Sequence, residues 1–128
     1  MKNHMLAIIA IAPLVGLWSA FTAQAAEVRQ AEAVVELFTS QGCSSCPAAD
    51  KVLAKLGSEG KVLTLAWHVD YWDYLGWKDT FALNSNTERQ KGYAVSFGER
   101  QIYTPQAVIN GRMHVVGSQR GGCAQCSG

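Results

Sequence analysis

An apolar run that leads into a Cys-x-x-Cys pair and then an amphipathic helix constrains this chain more than any other feature. Residues 33–38 form a near-continuous apolar run, which is typical of a buried strand. From Cys46 onward the apolar residues follow the i, i+3, i+4, i+7 spacing of a helix, at Ala49, Val52, Leu53 and Leu56. Cys43 and Cys46 are therefore predicted to lie where a strand gives way to a helix.

This position favours thiol chemistry. A thiol at a helix start faces unpaired backbone N–H groups and the positive end of the helix dipole, both of which favour the thiolate. Because the thiolate attacks disulfides, Cys43 is the predicted nucleophile and Cys46 the predicted resolving thiol. A plain structural disulfide is the alternative, but a bridge that closes so short a loop stabilises a fold poorly.

The N-terminus has the pattern of a secretory signal peptide. Lys2 precedes the almost wholly apolar residues 6–18, and Ala23-Gln24-Ala25 is a small-x-small cleavage pattern. A membrane anchor is the alternative, but the apolar stretch is shorter than the roughly 20 residues of a spanning helix. We therefore expect a periplasmic or secreted protein with no stable membrane span after cleavage.

Composition indicates a single globular domain. The chain has 128 residues, of which 48% are hydrophobic and 16% charged, with a formal net charge of +1. Its basic residues are scattered among acidic ones, so nucleic acid is not an expected partner. The predicted organisation is a signal peptide over residues 1–25, a domain over 26–118 and a flexible, atypical tail over 119–128.

Three further patterns complete the predicted α/β fold. Residues 62–69 predict a central strand buried on both faces, and the order strand, helix, strand predicts a parallel crossover. Residues 85–88 fit a capping box that begins a second helix. Asn110-Gly111 between apolar runs predicts a β-hairpin with a type I′ turn. A final helix is expected to be weak or missing, because residues 119–128 offer no apolar face.

The chain resembles an exported thioredoxin-like family of uncharacterised function, related to glutaredoxin and thioredoxin domains. The segments that carry the resemblance occur in the right order and are residues 36–47, 68–77, 87–90 and 103–117. The likeness covers about residues 34–118. The tail that follows is unlike the family, whose members continue with a helix and a mostly β segment, and this indicates a truncated or altered end.

The resemblance implies a thioredoxin-like fold and a site built from two distant parts of the chain. Cys43 would attack, Cys46 would resolve, and Pro105 would be a cis-proline facing them. Thr104 would offer its backbone groups to an extended substrate segment. The implied partners are protein or small-molecule thiols and disulfides, and no dissociable cofactor is needed.

Other residues leave further functions open. A copper or zinc protein would use the thiols with His68 and His114, or with the second pair, Cys123 and Cys126, although the two pairs are far apart for a zinc ribbon. The tail pair is otherwise a local disulfide or an internal thiol shuttle. A third possibility is a non-catalytic thioredoxin-like binding module whose first two cysteines form a closed bridge.

An aromatic segment after the second strand is the last candidate feature. The segment contributes Tyr71, Trp72, Tyr74 and Trp77, and Trp67 lies in the strand before it. Such residues pack more often than they bind, but the position at the end of a strand favours substrate contact by Trp72. Glu36 is the predicted proton acceptor for the buried thiol, with Asp70 and Asp73 as alternatives.

Overall fold

The structure, a computed structural model, describes residues 30–118. Its elements are β1 (Ala33–Thr39), α1 (Cys46–Ser58), β2 (Val62–His68), a 3₁₀ turn (Asp73–Leu75), α2 (Asn84–Phe97), β3 (Gln106–Ile109) and β4 (Met113–Val116). The predicted order of strands and helices is confirmed. The predicted signal peptide and the tail, with its second cysteine pair, lie outside the described residues. Within residues 30–118, no helix has the length and apolar character that crossing a bilayer requires.

The four strands form one mixed sheet in the order β2-β1-β3-β4. β1 pairs in parallel with β2, with Thr39 opposite His68, and antiparallel with β3, with Phe38 opposite Gln106. β3 and β4 pair antiparallel. This α/β architecture is compatible with a thioredoxin-like fold. It brings the end of β1, from which the cysteine loop departs, level with the start of β3.

β1 lies inside the sheet and is buried on both faces. Val35 and Leu37 pack with Ala49 of α1, whereas Phe38 packs with Val108 and with aromatic side chains of α2. Alternate residues of a strand point to opposite faces, so this strand contributes to two separate cores. Burial on both faces explains why its sequence is apolar almost without interruption.

β2 is an outer strand, so the prediction of a central strand was wrong. It pairs with β1 alone, and along its length it is only partly buried. Leu63 is 49% exposed, and only Val69, just beyond the strand, is completely buried. A half-buried strand normally alternates apolar and polar residues. β2 has apolar residues at exposed positions as well, so its sequence resembles that of a strand buried on both faces.

The capping box predicted over residues 85–88 is not formed. α2 begins at Asn84, after Leu83 in an extended conformation, and no side chain caps it. Thr87 instead donates to Asp70 Oδ1 at 2.6 Å, and Asn86 Nδ2 donates to the carbonyl of His68 at 2.8 Å. The polar residues that resembled a cap therefore fasten α2 to the end of β2.

The predicted hairpin is confirmed. Asn110 and Gly111 both adopt the left-handed conformation, with φ of 50° and 68°, as a type I′ turn requires. Asn110 Oδ1 accepts the N–H of Val34 at 2.8 Å, and the Asn110 N–H donates to the Val34 carbonyl at 2.9 Å. The turn is thereby fastened to the start of β1.

Candidate functional site

A disulfide joins Cys43 and Cys46 where β1 gives way to α1. Their Cα atoms are 5.4 Å apart. Cys46 is the first residue of α1, and Pro47 follows in the first turn, where its missing N–H costs no helical hydrogen bond. The two thiols are thus close enough to interconvert between a dithiol and a bridge.

The loop before α1 is a series of tight turns. The N–H of Cys43 donates to the carbonyl of Ser40 at 3.2 Å, and the N–H of Gly42 donates to Ser40 Oγ at 3.1 Å. The N–H of Cys46 donates to the carbonyl of Cys43 at 3.2 Å. Ser45 Oγ lies 3.6 Å from Cys43 Sγ, within reach of a sulfur hydrogen bond. The position of Cys43 therefore depends on the turn at residues 40–43.

Both cysteines are shielded from solvent. Cys43 is 2% exposed and Cys46 is 0% exposed, whereas Ser44 and Ser45 between them are exposed. The sequence located the thiols at a helix start but gave no sign of this shielding. A reacting thiol must therefore gain access to Cys43 Sγ through the surface of the loop.

The second half of the candidate site is the Thr104–Pro105 segment, whose peptide bond is cis. Trp72 connects this segment to the cysteine loop. Its Nε1 donates to Thr104 Oγ1 at 2.8 Å, and its Cβ is so near Gly42 that a Cβ added there would lie 3.1 Å away. The structure therefore brings together Trp72, Thr104 and the residue before Cys43.

Gln90 of α2 forms hydrogen bonds to the residues on both sides of the Thr104–Pro105 segment. It is 0% exposed, and its Nε2 donates to the carbonyl of Tyr103 at 2.7 Å and to Gln106 Oε1 at 2.8 Å. Its Oε1 accepts the hydroxyl of Tyr71 at 3.1 Å. Sequence reasoning missed this role because a polar residue on a helix is ordinarily exposed. The only signal was that Gln90 lies in a segment, residues 87–90, that carries the family resemblance.

Asp79 supports the cysteine loop and was also missed. This carboxylate is 1% exposed; its Oδ2 accepts the N–H of Gln41 at 2.8 Å and lies 2.7 Å from Nδ1 of His68. Its Oδ1 accepts the N–H of Phe81 at 2.9 Å. Burial raises the pKa of Asp79, but the hydrogen bonds from Gln41, His68 and Phe81 outweigh burial and bring the pKa below its ordinary value.

Glu36 does not lie beside the thiols, so its predicted role as their proton acceptor was wrong. It shares the α2 face of β1 with Phe38 and accepts hydrogen bonds from Trp67 Nε1 at 2.7 Å, Arg89 Nε at 2.6 Å and the hydroxyl of Tyr93. Burial raises the pKa of Glu36, but the hydrogen bonds from Arg89, Tyr93 and Trp67 lower it by more, so the pKa lies below its ordinary value. Alternation along β1 explains the difference, because the helix that carries Cys46 packs on the opposite face.

The other predicted acids and histidines have hydrogen-bond partners other than the thiols. Asp70 bonds to Thr87 of α2, and Asp73 accepts the N–H of Asp79 at 3.1 Å. His68 and His114 lie on β2 and β4, the two opposite edges of the sheet. Nowhere in residues 30–118 do three His, Cys, Asp or Glu side chains form a group suited to a metal ion.

The aromatic segment divides into a packed part and an exposed part. Trp67, Tyr71 and Trp72 pack against the core beneath α2. Tyr74 and Trp77 are exposed, although Trp77 Nε1 donates to Gln41 Oε1 at 3.1 Å. The segment therefore both fills the core and contacts the cysteine loop.

Comparisons with known proteins place the chain among proteins without an assigned activity. A family described as protein of unknown function (DUF1223) matches residues 34–126. The chain is also similar to the crystal structure of a protein from Agrobacterium tumefaciens, determined by a structural genomics consortium, with 52% sequence identity and a TM-score of 0.72. That match covers 76% of this chain and 44% of the other, so this chain spans less than half of that protein's length. The chain matches no curated protein.

Proposed function

The chain belongs to the DUF1223 family, whose function is unknown, and from its own geometry we propose that it is an exported thiol:disulfide oxidoreductase. The observation that carries the proposal is the Cys43–Cys46 pair at the start of α1, connected through Trp72 to the Thr104–Pro105 segment. A disulfide suits a compartment outside the cytosol, which agrees with the signal-peptide pattern of residues 1–25.

The proposed reaction is a pair of thiol–disulfide exchanges. Cys43 thiolate attacks one sulfur of a substrate disulfide, and the other substrate sulfur leaves as a thiolate. Cys46 thiolate then attacks Cys43 Sγ, which releases the second substrate thiolate and closes the protein's own bridge. The two electrons that reduce the substrate come from the two protein thiols. The same steps in reverse oxidise a substrate dithiol, and neither direction needs a dissociable cofactor.

The surroundings of the bridge support the proposal. The amino end of α1 favours negative charge on Cys43 Sγ, and the Ser45 hydroxyl, 3.6 Å away, is placed to donate to that thiolate. Thr104 offers backbone groups beside Pro105 for an extended substrate segment, and Trp72 forms the adjoining wall. Substrates would accordingly be protein or small-molecule thiols and disulfides.

A second candidate is a non-catalytic binding module with a closed bridge. The shielding of Cys43, at 2% exposed, and of Cys46, at 0%, favours it. A sulfur that a partner thiolate cannot reach does not exchange, whatever its pKa. The two candidates therefore differ in one measurable property, the rate at which the folded protein exchanges with an external thiol.

Glutathione is the probe that separates them. The mature protein is equilibrated with mixtures of reduced and oxidised glutathione, quenched with acid and examined by mass spectrometry. We expect reversible exchange of the bridge, a trapped glutathione adduct on Cys43 in Cys46→Ser, and little adduct in the matched variant Cys43→Ser. A bridge that exchanges only after the protein is unfolded would refute the oxidoreductase and support the closed bridge.

A further inference from the structure

The loop that carries Cys43 is tied to the rest of the protein by a carboxylate outside the thiol site. Asp79 Oδ2 accepts the N–H of Gln41, two residues before Cys43, at 2.8 Å. Trp77 holds the side chain of the same residue through Gln41 Oε1, at 3.1 Å. Both ends of Gln41, backbone and side chain, are therefore held by the segment that follows β2.

Asp79 is itself fixed in place. Its own N–H donates to Asp73 Oδ1 at 3.1 Å, and its Oδ1 accepts the N–H of Phe81 at 2.9 Å. Its Oδ2 also pairs with Nδ1 of His68, at the end of β2, at 2.7 Å. The carboxylate of Asp79 is therefore bonded to residues outside the cysteine loop while it accepts the N–H of Gln41.

We propose that Asp79 is a positioning residue for the thiol–disulfide reaction: by holding the Gln41 N–H it fixes the turn that carries Cys43 and favours the closed bridge over the open dithiol. The inference rests on the proposed function, and it assigns a task to a side chain that touches neither sulfur. It also explains why the segment after β2 contacts the cysteine loop.

Two physical effects act in the same direction. A fixed turn keeps Cys43 near Cys46 in the reduced protein, which raises the effective concentration of one thiol beside the other. A buried negative charge near the loop also disfavours a thiolate on Cys43, and hence the reduced form. Loss of the charge and of the hydrogen bond should therefore make the bridge easier to reduce.

The test compares Asp79→Ala with Asp70→Ala. Alanine has no side-chain acceptor, so Asp79→Ala removes the hydrogen bond to Gln41 together with the charge, whereas an asparagine could turn its oxygen toward Gln41 and keep that bond. Asp70 is the matched control because its carboxylate also accepts side-chain hydrogen bonds, but from Thr87 and Asn84 of α2. The readouts are the equilibrium of the Cys43–Cys46 bridge with glutathione at pH 7 and the hydrogen-exchange protection of the Gln41 amide.

We expect Asp79→Ala to lower the equilibrium constant for bridge formation by about threefold to tenfold and to reduce Gln41 protection, with no such change in Asp70→Ala. An unchanged equilibrium in folded Asp79→Ala would overturn the inference. If that variant does not fold, the Gln41 amide of the wild-type protein decides: protection well above that of the exposed residue Ser44 supports the bond to Asp79, and equal exchange of the two amides would overturn the inference.

The proposed function can fail separately. A wild-type bridge that never exchanges with glutathione would refute the oxidoreductase. Gln41 protection would then decide the positioning claim alone: unchanged protection in Asp79→Ala would refute it, and lost protection would support Asp79 as the residue that holds the turn.

Discussion

Gly42, the residue before Cys43, packs tightly against Trp72. A Cβ at this position would lie 3.1 Å from Trp72 Cβ, so Gly42→Ala must shift by a few tenths of an ångström the side chain that bonds to Thr104. We expect a loss of about 1–2 kcal/mol in the free energy of unfolding, measured by urea denaturation.

Gly92 provides the matched control for Gly42. It lies inside α2 with no atom within 4 Å of an added Cβ, so Gly92→Ala should gain about 0.5–1 kcal/mol through helix propensity. If both variants gained equally in the free energy of unfolding, Trp72 would not pack against the cysteine loop as described.

Glu36 should make the stability depend on pH in the acid range. Because its pKa in the fold lies below the ordinary 4.5, the ionised form contributes stability above that value, and the contribution is lost as the pH falls through the lowered pKa. Glu36→Gln should therefore cost about 1–3 kcal/mol near pH 7, with a smaller difference near pH 3.

Urea unfolding at the two pH values measures this difference. Glu88→Gln is the control, because Glu88 forms an exposed pair with Lys91 and should change stability by less than about 0.5 kcal/mol. A loss in Glu36→Gln that is equally large at both pH values would contradict the assigned role of the charge.

At the scale of elements, α2 holds the second half of the site through one buried amide. Gln90→Leu keeps the approximate volume but leaves the Tyr103 carbonyl and the Gln106 side chain without their partner. We expect a loss of about 2–4 kcal/mol in thermal or urea unfolding. Lys91→Gln, the next residue on the same helix, should cost little, and a similar loss in both would point to the helix rather than to the buried amide.

Elements with a local signature could be predicted from the sequence. β1, α1 and the hairpin each carry their own pattern, a buried run, a helical stripe and an Asn-Gly turn. The outer place of β2 could not be predicted, because strand order depends on which strands pair across the sheet. The start of α2 was misassigned because the partners of Asn86 and Thr87 lie far away in the sequence.

The same distinction separates the parts of the candidate site. Cys43 and Cys46 belong to a motif of four consecutive residues, so their position at the helix start was predictable. Asp79 and Gln90 act through single hydrogen bonds to segments distant in sequence, and an isolated Asp or Gln gives no indication of burial. The family resemblance predicted a role for Pro105, but it did not predict the hydrogen bonds of Gln90 that support the segment.

At the scale of the whole molecule, the composition of the tail predicts that its end adds little to stability. Residues 121–128 begin with two glycines, end in Ser-Gly and offer no apolar face. Deletion of residues 121–128 should therefore shift the midpoint of thermal unfolding by less than about 2 °C. A fall of more than about 5 °C, measured by circular dichroism, would show that the tail stabilises the domain.

The strand order β2-β1-β3-β4 also determines when the site is assembled during synthesis. β1 and both cysteines leave the ribosome before β3, which must pair along the other edge of β1. A nascent chain thus carries two thiols and one open strand edge before Pro105 exists. Until the hairpin is made, those thiols lack the Thr104–Pro105 segment that completes the candidate site.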